Sequence, residues 1–477
     1  MLKNRLQIKT ILLLVLIQYS SKSQSPLIED APPVFTIEAL QSDFQYVRNR
    51  LEARNPILYL YHSKETMDRY LDSTYASIDQ PMPELDFVPL IAQVMAFTGD
   101  GHNTAIPSES AINIVRDNPH LLPLDIRFYE QKGYLVRNLS HTDDLMLGVE
   151  IARINQVPVA QIWQNILPLM PADGKGSQWT ESNANNSFRF YYHMLYGFSE
   201  SYLIEYYSAN QVSQQYTVKG EPLLTIETLK KERYGTPQGT KSLRMELFDT
   251  LHTAVITIKT FEKSAIRKAS KQHFKREIAR YFKTIKMQKV TTLVIDIRNN
   301  SGGNPDYVKA MLRRLFQKPF RQARVCRIVQ HKHKADFFER TRRQWYPWYG
   351  IGTFRPARNY FDGKLYVLIN DGTFSASVQL AGALQNYGRA TFIGTETGGN
   401  STIMSGFLTK TNWTLPNTKI QISSGTLCTL YKKFASNTGR GILPDITVSP
   451  SPADIISGED RHLKTAFSQI KNDGIGH

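Results

Sequence analysis

Hydrophobic residues recur at helical spacing through the first quarter of the chain. The recurring positions are Leu40, Phe44, Val47, Leu51, Met67, Leu71, Ile78, Val88, Ile91 and Met95. This period places the apolar side chains on one face of each helix. The pattern stops at a segment that contains Gly99 and Gly101, which is typical of a helix end followed by a turn. We therefore predict a helical N-terminal region over residues 24–118.

From residue 119 the hydrophobic period changes to two. Leu122, Leu124, Ile126 and Phe128 alternate with other residues and predict a strand with one buried face. Further on, residues 147–159 predict a strand, a turn at Asn155 and Gln156, and the start of a helix. This segment resembles the strand and turn of PDZ domains, with Gln156 where glycine is usual. The resemblance implies a degenerate PDZ-like domain over residues 119–235.

The third block, from about residue 243, alternates strands and helices. Its predicted strands are 254–258, 292–297, 364–370 and 389–393. Those at 292–297 and 364–370 are continuous apolar runs of the kind that is buried on both faces of a sheet. Between the first two lies a helical pattern formed by Phe274, Ile278, Phe282 and Ile285. Strand, helix and strand at this spacing predict parallel pairing with right-handed crossovers. The predicted fold class is α/β.

Composition limits the class of protein. The chain has 477 residues, of which 41% are hydrophobic and 21% are charged, values that fit a globular protein of two or three domains. Only two cysteines are present, Cys326 and Cys428, too few for a disulfide scaffold or a four-cysteine zinc site. One disulfide bridge and two buried free thiols both remain open.

The N-terminus reads as a secretory signal. Lys3, Arg5 and Lys9 precede an apolar stretch from Ile11 to Ile17, and small residues around Ser23 fit a cleavage site. The stretch is shorter than the roughly 20 residues that span a bilayer, so we expect a cleaved signal over residues 1–23 and no stable membrane anchor. Cleavage removes four basic residues and no acids, so that the formal charge falls from +16 to +12. We predict an exported protein, periplasmic or extracellular.

Two loops that follow apolar strands carry candidate chemistry. The first contains Gly302 and Gly303, whose freedom to turn tightly would leave backbone N–H groups exposed to an oxyanion; a plain tight turn is the alternative. The second leads from Asn370 into a predicted helix and contains Ser375. A serine at a strand-to-helix junction presents its hydroxyl at the positive end of the helix, although helix capping explains it equally well. From composition alone, Thr373 and Ser377 are rival nucleophiles.

Several segments together resemble the tail-specific, or C-terminal processing, serine peptidase family. The family's aspartate, arginine, asparagine and glycine-pair motif stands here as Asp296, Arg298, Asn300, Gly302 and Gly303. Its nucleophile stretch is present as residues 373–377, the following helix and strand motif as 381–399, and the closing motif as 441–448. Several long motifs in the right order make a chance similarity improbable.

The resemblance implies the roles of several residues. Ser375 is the implied nucleophile, and the backbone N–H groups of Ala376 and of Gly302 or Gly303 are the implied oxyanion hole. It also implies a crotonase-like catalytic domain, here residues 243–457, followed by a C-terminal tail over 458–477. No metal or organic cofactor is implied.

The general base departs from the best-known branch of that family, which places a lysine 25 positions after the nucleophile. Asn400 stands there, and an amide does not accept the serine proton, so a serine–lysine dyad is excluded at this position. A tricorn-like branch uses a histidine that precedes the PDZ-like domain, and the segment at His102 resembles its motif. Histidine suits this role because its unperturbed pKa is about 6.5. Asp100 and Glu396 are both candidates for the acid that orients His102.

Other polar clusters are less informative. His331 and His333 lack a third ligand at metal spacing, and the basic residues of 263–289 form mostly the outer face of a helix. Aromatic and arginine residues near 340–349 could stack on nucleic-acid bases, but an export signal argues against that partner.

We therefore predict an exported serine endopeptidase that acts on peptides or proteins and binds no nucleic acid, with its oligomeric state open. The alternative is a non-catalytic protein that binds peptides or hydrophobic ligands on the same fold.

Overall fold

The computed structural model describes residues 33–142, 145–174, 176, 178–208, 210–235, 241–328, 351–407, 411–431 and 439–474. The expected signal segment, the histidines at 331 and 333 and the aromatic cluster near 345 lie outside these residues. Within the part that the structure describes, no helix is long and apolar enough to cross a membrane. Cys326 and Cys428 are both buried and are not joined by a disulfide bond.

The N-terminal region is helical, as its hydrophobic period predicts. After a short strand β1 come helices α1 and α2, strand β2 and helix α3; their ranges are Val34–Phe35, Ile37–Arg54, Lys64–Ala76, Met82–Pro83 and Glu84–Phe97. Thr36 and Ser63 cap α1 and α2 by accepting hydrogen bonds from backbone N–H groups of the first turn. Gly99, with φ of +69°, ends the last of these helices. Strand β3 (Thr104–Ile106) and helix α4 (Glu109–Arg116) follow the turn.

The second block is built on an antiparallel sheet. Its elements are β4 (Leu124–Tyr129), β5 (Lys132–Asn138), β6 (Glu150–Ile154), β7 (Val157–Pro158), α5 (Val159–Ile166), α6 (Gln178–Tyr196), β8 (Ser201–Tyr207), β9 (Ser213–Lys219) and α7 (Leu223–Tyr234). The sheet order is β4-β5-β6-β8-β9, with β7 paired to β6. Asn155 and Gln156 both have positive φ in the predicted turn. The 19-residue helix α6 is absent from the sequence-based prediction, because several buried positions on it are small and polar, such as Ser182 and Ser187.

The third block contains a six-stranded sheet of order β10-β11-β12-β14-β15-β20, in which every pair except β10-β11 is parallel. Its strands are Leu243–Phe248 (β10), Thr253–Ile258 (β11), Thr292–Asp296 (β12), Lys364–Ile369 (β14), Thr391–Gly394 (β15) and Ile446–Thr447 (β20). The parallel pairing that the apolar runs predict is confirmed.

Helices cover both faces of this sheet. One face packs against α8 (Phe274–Met287), α9 (Pro305–Leu315) and α10 (Ala376–Asn386). The other face packs against the C-terminal helix α12 (Arg461–Gly474), which follows α11 (Pro452–Ser457) and buries Ala466 and Ile470 against the strands. Residues 458–474 therefore form part of the same folded unit as the sheet.

Short strands of the third block, outside its six-stranded sheet, form two smaller sheets, and one of these includes a strand of the N-terminal region. Strands β13 (Val325–Ile328), β16 (Ile403–Gly406) and β19 (Leu427–Leu430) form one small sheet. Strands β17 (Asn412–Thr414) and β18 (Gln421–Ser423) form a hairpin, and β18 pairs with β3. Ile420 and Ile422 of this hairpin join one buried cluster with Leu40 of α1 and Ile151 of β6. The helical region, the antiparallel sheet and the hairpin thus share a core.

Candidate active site

Ser375 lies where β14 gives way to α10. It has φ of 52° and ψ of −120°, and its side chain does not cap the helix. The rival hydroxyls have other roles or surroundings. Thr373 Oγ1 donates to the Ile297 carbonyl and accepts from the Asn370 N–H, and Ser377 is fully buried. Of the three hydroxyls, Ser375 is the one in contact with a histidine.

His102 Nε2 lies 3.1 Å from Ser375 Oγ, although 273 positions separate the two residues in the chain. The histidine sits in the turn between α3 and β3 and is 5% exposed. Its ring packs against Phe374 and Phe407, with centroid distances of 4.8 and 5.1 Å. This packing holds the imidazole in one orientation and excludes water from most of its surface.

Asp100 is the acid beside His102. Its Oδ1 lies 3.6 Å from His102 Nδ1, longer than a hydrogen bond, and accepts the His102 backbone N–H at 3.0 Å. Ser405 and Asn55 also donate to this buried carboxylate, at 2.5 and 2.8 Å. Burial would raise the pKa of Asp100, but the interaction with His102 and the hydrogen bonds outweigh burial and hold the pKa below its usual value.

Glu396 occupies a different place. Arg440 Nε donates to both of its carboxylate oxygens, at 2.9 and 3.1 Å, and the Gly441 N–H donates to Oε1 at 2.8 Å. The carboxylate therefore closes the loop at residues 440–441. Within the described residues it makes no contact with His102.

Asp173, which sequence reasoning misses, is the second buried acid near His102. Its Oδ1 accepts the Gly101 N–H at 2.7 Å and its Oδ2 accepts the Asn400 N–H at 3.3 Å. Burial raises the pKa of Asp173 to about 6. No sequence motif marks this residue, which lies in a proline- and glycine-containing loop before α6. Its contacts tie the histidine turn to the loop at residues 398–400.

Asn400, at the position of the family's lysine, has a structural role. Its Nδ2 donates to Tyr61 Oη at 2.8 Å, and its Oδ1 accepts the Thr402 N–H at 2.8 Å. The side chain is buried, so the amide holds the loop together around Tyr61.

The glycine pair approaches Ser375 closely. Gly302 has φ of +103°, and a Cβ built on it would lie 2.7 Å from Ser375 Cβ, so only glycine fits there. The Gly302 N–H donates to Asn300 Oδ1 at 3.0 Å. The N–H groups of Gly303 and Ala376, in contrast, donate to no described residue. Among the expected oxyanion-hole groups, these two are available to a ligand.

Asparagines join the two loops. Asn299 and Asn370 exchange hydrogen bonds: the Asn299 N–H donates to Asn370 Oδ1 at 2.8 Å, and Asn370 Nδ2 donates to Asn299 Oδ1 at 2.9 Å. Asn300 is fully buried; its carbonyl accepts the Phe374 N–H at 3.0 Å and its Nδ2 donates to the Ile258 carbonyl. The loops after β12 and β14 are therefore fixed relative to each other.

Asp100, His102 and Asp173 each place one ligand atom within 4.8 Å of the others, a spacing that a metal ion could use. Both carboxylates, however, accept hydrogen bonds from N–H or O–H donors, which a cation would have to displace. Among the side-chain nitrogen and oxygen atoms of these three residues, only His102 Nδ1 lacks a hydrogen-bond partner in the described part of the chain. The donor groups around the carboxylates suit anions held next to a histidine better than a metal centre.

The chain was compared with protein families, curated proteins and solved structures. The sequence model of peptidase family S41 matches residues 252–448. No curated protein matches the chain. Among solved structures, mature CPAF aligns with a TM-score of 0.67 and 16% identity, over 92% of this chain and 98% of that chain. Mature CPAF complexed with lactacystin aligns with a TM-score of 0.65 and 16% identity, over 92% and 99%.

The photosystem II D1 C-terminal processing protease aligns more weakly, with a TM-score of 0.43 and 13% identity, over 89% of this chain and 98% of that chain. At 16% identity the likeness to CPAF shows a shared fold. The family match covers five of the six strands of the sheet, all except β10, and both loops around Ser375. The chain is therefore a serine-type peptidase with a mixed α/β fold, and its residues 252–448 match the sequence model of peptidase family S41.

Proposed function

We propose that this peptidase is an exported endopeptidase in which Ser375 is the nucleophile and His102 is the general base. The observation that carries the proposal is the 3.1 Å separation of His102 Nε2 and Ser375 Oγ. A candidate base must lie within hydrogen-bonding reach of the proton that it removes. The strained backbone at Ser375, whose side chain does not cap the helix, supports the same assignment.

The reaction follows from this geometry. His102 Nε2 takes the proton of Ser375 Oγ as the oxygen attacks the carbonyl carbon of the peptide bond. The N–H groups of Gly303 and Ala376 donate to the oxyanion that forms. His102 then protonates the leaving amine, the C–N bond breaks, and an acyl-enzyme remains on Ser375. Water, deprotonated by His102, attacks the ester and releases the acid product.

Asp100 is the proposed orienting acid. For Nε2 to act as a base, the ring proton must be on Nδ1, which faces Asp100 at 3.6 Å. A buried anion at that side favours this tautomer and stabilises the imidazolium that forms during attack. Substrate binding is expected to shorten the contact, because catalytic hydrogen bonds are often long in the free enzyme.

The histidine base argues for the tricorn-like branch rather than the branch with a catalytic lysine. Asn400 supports this, because its amide is engaged by Tyr61 and Thr402. We also assign residues 119–235 to a PDZ-like domain and 243–457 to a crotonase-like domain, on the order of the sequence motifs. Export follows from the basic and apolar character of residues 1–23.

Cleavage of a mixed peptide pool by the purified mature chain tests the proposal. Ser375→Ala and His102→Ala are expected to lower kcat/KM by about 10³-fold or more while melting like the wild type. Ser377→Ala is the matched control, because it removes a hydroxyl two positions away, and it is expected to keep activity. If Ser377→Ala is inactive and Ser375→Ala is active, the nucleophile is assigned wrongly.

A further inference from the structure

A dense basic segment runs past the active site. Residues 259–289 contain eleven lysines and arginines but only two acids, Glu262 and Glu277. An outer helix face would spread these charges over the surface. Instead, the first part of the segment folds back as a π-helical turn, Ala265–Ala269, before α8 begins at Phe274. Such turns are frequent at functional sites.

This turn and the start of α8 line an open cavity of about 470 Å³ next to α9. The basic side chains that line the cavity are Lys263, Arg267, His273, Lys275 and Arg276. All five are exposed to solvent. A single carboxylate, that of Asp306, lines the cavity with them.

The charges in the cavity are unbalanced. Asp306 is already paired with Lys275 at 2.6 Å and with Lys309. Lys263, Arg267 and Arg276 have no carboxylate partner among the described residues. Like charges held together in one concave site repel one another, and bound anionic groups relieve that repulsion.

The cavity adjoins the proposed oxyanion hole. Asn304, which lines it, directly follows Gly303. The Phe261 N–H donates to the Gly302 carbonyl at 2.8 Å, and the Asn304 N–H donates to the Phe261 carbonyl at 2.9 Å. Because consecutive Cα atoms are about 3.8 Å apart, the cavity begins roughly 12 Å or less from Ser375. An extended peptide advances about 3.3 Å per residue, so its side chains two to four residues from the cleaved bond reach this site.

We infer that this cavity is a substrate subsite that binds acidic side chains close to the cleaved bond. The inference rests on the proposed function, since it takes Ser375 as the point of attack. Acidic peptide side chains fit better than a nucleic acid or a lipid surface, because the three unpaired cations line a concave site beside the catalytic loops. The residues that determine this specificity are Lys263, Arg267 and Arg276.

The test compares two quenched peptides that share a cleaved sequence. One carries glutamates at positions two to four on each side of the bond, and the other carries glutamines. The subsite variant is Lys263→Gln/Arg267→Gln/Arg276→Gln. The control variant, Lys283→Gln/Lys286→Gln/Lys289→Gln, removes the same charge from the far end of the same segment, where all three side chains are exposed.

We expect the wild type to cleave the glutamate peptide with about tenfold higher kcat/KM, a preference that falls as salt is raised. The subsite variant is expected to lose this preference and to cleave the glutamine peptide normally, while the control variant keeps the preference. A wild type without preference, or a subsite variant that retains it, overturns the inference. Equal losses in both variants also overturn it, because they indicate a long-range charge effect.

Binding separates this inference from the proposed mechanism. If Ser375→Ala still cleaves the peptides, the nucleophile is assigned wrongly. The ratio of kcat/KM between the glutamate and glutamine peptides still shows whether the cavity is a subsite for acidic side chains. If the wild type cleaves neither peptide, the affinity of Ser375→Ala for each peptide is measured by fluorescence anisotropy. Tighter binding of the glutamate peptide, lost when the three subsite substitutions are added, supports the inference. Equal binding of the two peptides overturns it. Phosphatidylglycerol vesicles serve as a second probe. Vesicle binding that depends on the three cations, without any peptide preference, also overturns the inference in favour of a lipid surface.

Discussion

Ser375 combines a strained backbone with a hydroxyl that contacts His102. A positive φ on a residue that has a side chain costs about 1–3 kcal/mol, and neighbouring structure must maintain it. Gly302 supplies part of that structure, because its missing Cβ leaves room for Ser375 Cβ. In this conformation Oγ lies 3.1 Å from His102 Nε2 and makes no capping hydrogen bond to α10. The strain thus lies at the residue where reactivity is proposed.

The choice between the two candidate acids gives a prediction at the same scale. Asp100→Asn is expected to lower kcat by about 10²-fold or more, because the anion that stabilises protonated His102 is lost. The amide also faces donors from Ser405 and Asn55, so we expect a loss of about 1–3 kcal/mol in unfolding free energy. Steady-state kinetics at several pH values and thermal melts measure both effects.

Glu396→Gln is the comparison for that experiment. Its carboxylate contacts Arg440 and Gly441, so the substitution is expected to affect local stability and to leave the pH dependence of kcat unchanged. Should Glu396→Gln abolish turnover while Asp100→Asn retains it, the assignment of the acids must be reversed.

At the scale of elements, the parallel strands bring the loops of the candidate site to one edge of the sheet. The loops that follow β12 and β14 leave the same edge of the sheet because neighbouring parallel strands end there. The exchange of hydrogen bonds between Asn299 and Asn370 then fixes the loops without using the side chain of Ser375 or of His102. The sheet provides the positions, and the loops provide the N–H groups and the hydroxyl.

A buried histidine links α6 to the start of the antiparallel sheet. His193 Nε2 accepts the Leu122 N–H at 3.0 Å, and Nδ1 donates to the Gly197 carbonyl at 2.9 Å. Burial lowers the pKa of His193 to about 4. Between pH 6.5 and 4 the unfolded chain binds a proton that the folded chain does not. Stability is therefore lost as pH falls through that window, by on the order of 3 kcal/mol.

We expect His193→Gln to weaken this acid sensitivity, although it lowers stability at neutral pH by disturbing the two hydrogen bonds. Denaturant unfolding at pH 7.5, 6, 5 and 4 measures the effect. The control replaces the exposed His273 by glutamine and should keep the wild-type profile. An unchanged acid sensitivity in His193→Gln would show that other groups cause it.

At the scale of the whole molecule, the proposed base and nucleophile come from different blocks. The turn that carries His102 leads into β3, and β3 pairs with β18 from the third block. Asp43 of α1 fastens the other end of the same hairpin: it is fully buried and accepts the N–H groups of Asn417 and Thr418 at 2.9 and 2.7 Å. The hairpin therefore sets how the helical region sits against the catalytic sheet.

Removing the hydrogen bonds between Asp43 and the hairpin should reduce activity, although Asp43 lies outside the candidate active site. Asp43→Ala leaves several buried donors without an acceptor, which costs about 1–3 kcal/mol or more. We expect a lower kcat/KM at temperatures where the variant is still folded, because the hairpin no longer holds β3 and the His102 turn. Kinetics, with hydrogen exchange of residues 104–106 and 421–423, measure the loss.

Glu84→Ala is a matched control. Glu84 is also a buried acid and accepts two hydrogen bonds from Ser108, but both residues belong to the N-terminal region. It should destabilise the protein comparably and leave kcat of the folded fraction near that of the wild type. Equal losses of kcat in both variants would mean that general destabilisation, not the hairpin, explains the effect.

Much of the fold follows from local patterns. Apolar periodicity is set by the geometry of helices and strands, so the N-terminal helices and the buried parallel strands are predictable. Apolar periodicity does not predict helix α6, because small polar residues such as Ser182 and Ser187 occupy buried positions on it. The role of Asp173 is not predictable for a different reason. A single aspartate in a loop forms no sequence pattern, and its partners Gly101 and Asn400 are distant in the chain and meet it only in the folded structure.

The sequence by itself determined the α/β class, the strand ends that carry chemistry, and a short set of candidates that includes Ser375, His102 and the glycine pair. These depend on residue type and spacing over short stretches of chain. Only the tertiary structure decided which candidates meet: His102 lies 3.1 Å from Ser375, and Asp100 rather than Glu396 lies beside the imidazole. It also decided that Gly303, rather than Gly302, has an N–H group that donates to no described residue. Contacts between residues hundreds of positions apart depend on how the blocks pack, and local spacing does not encode that packing.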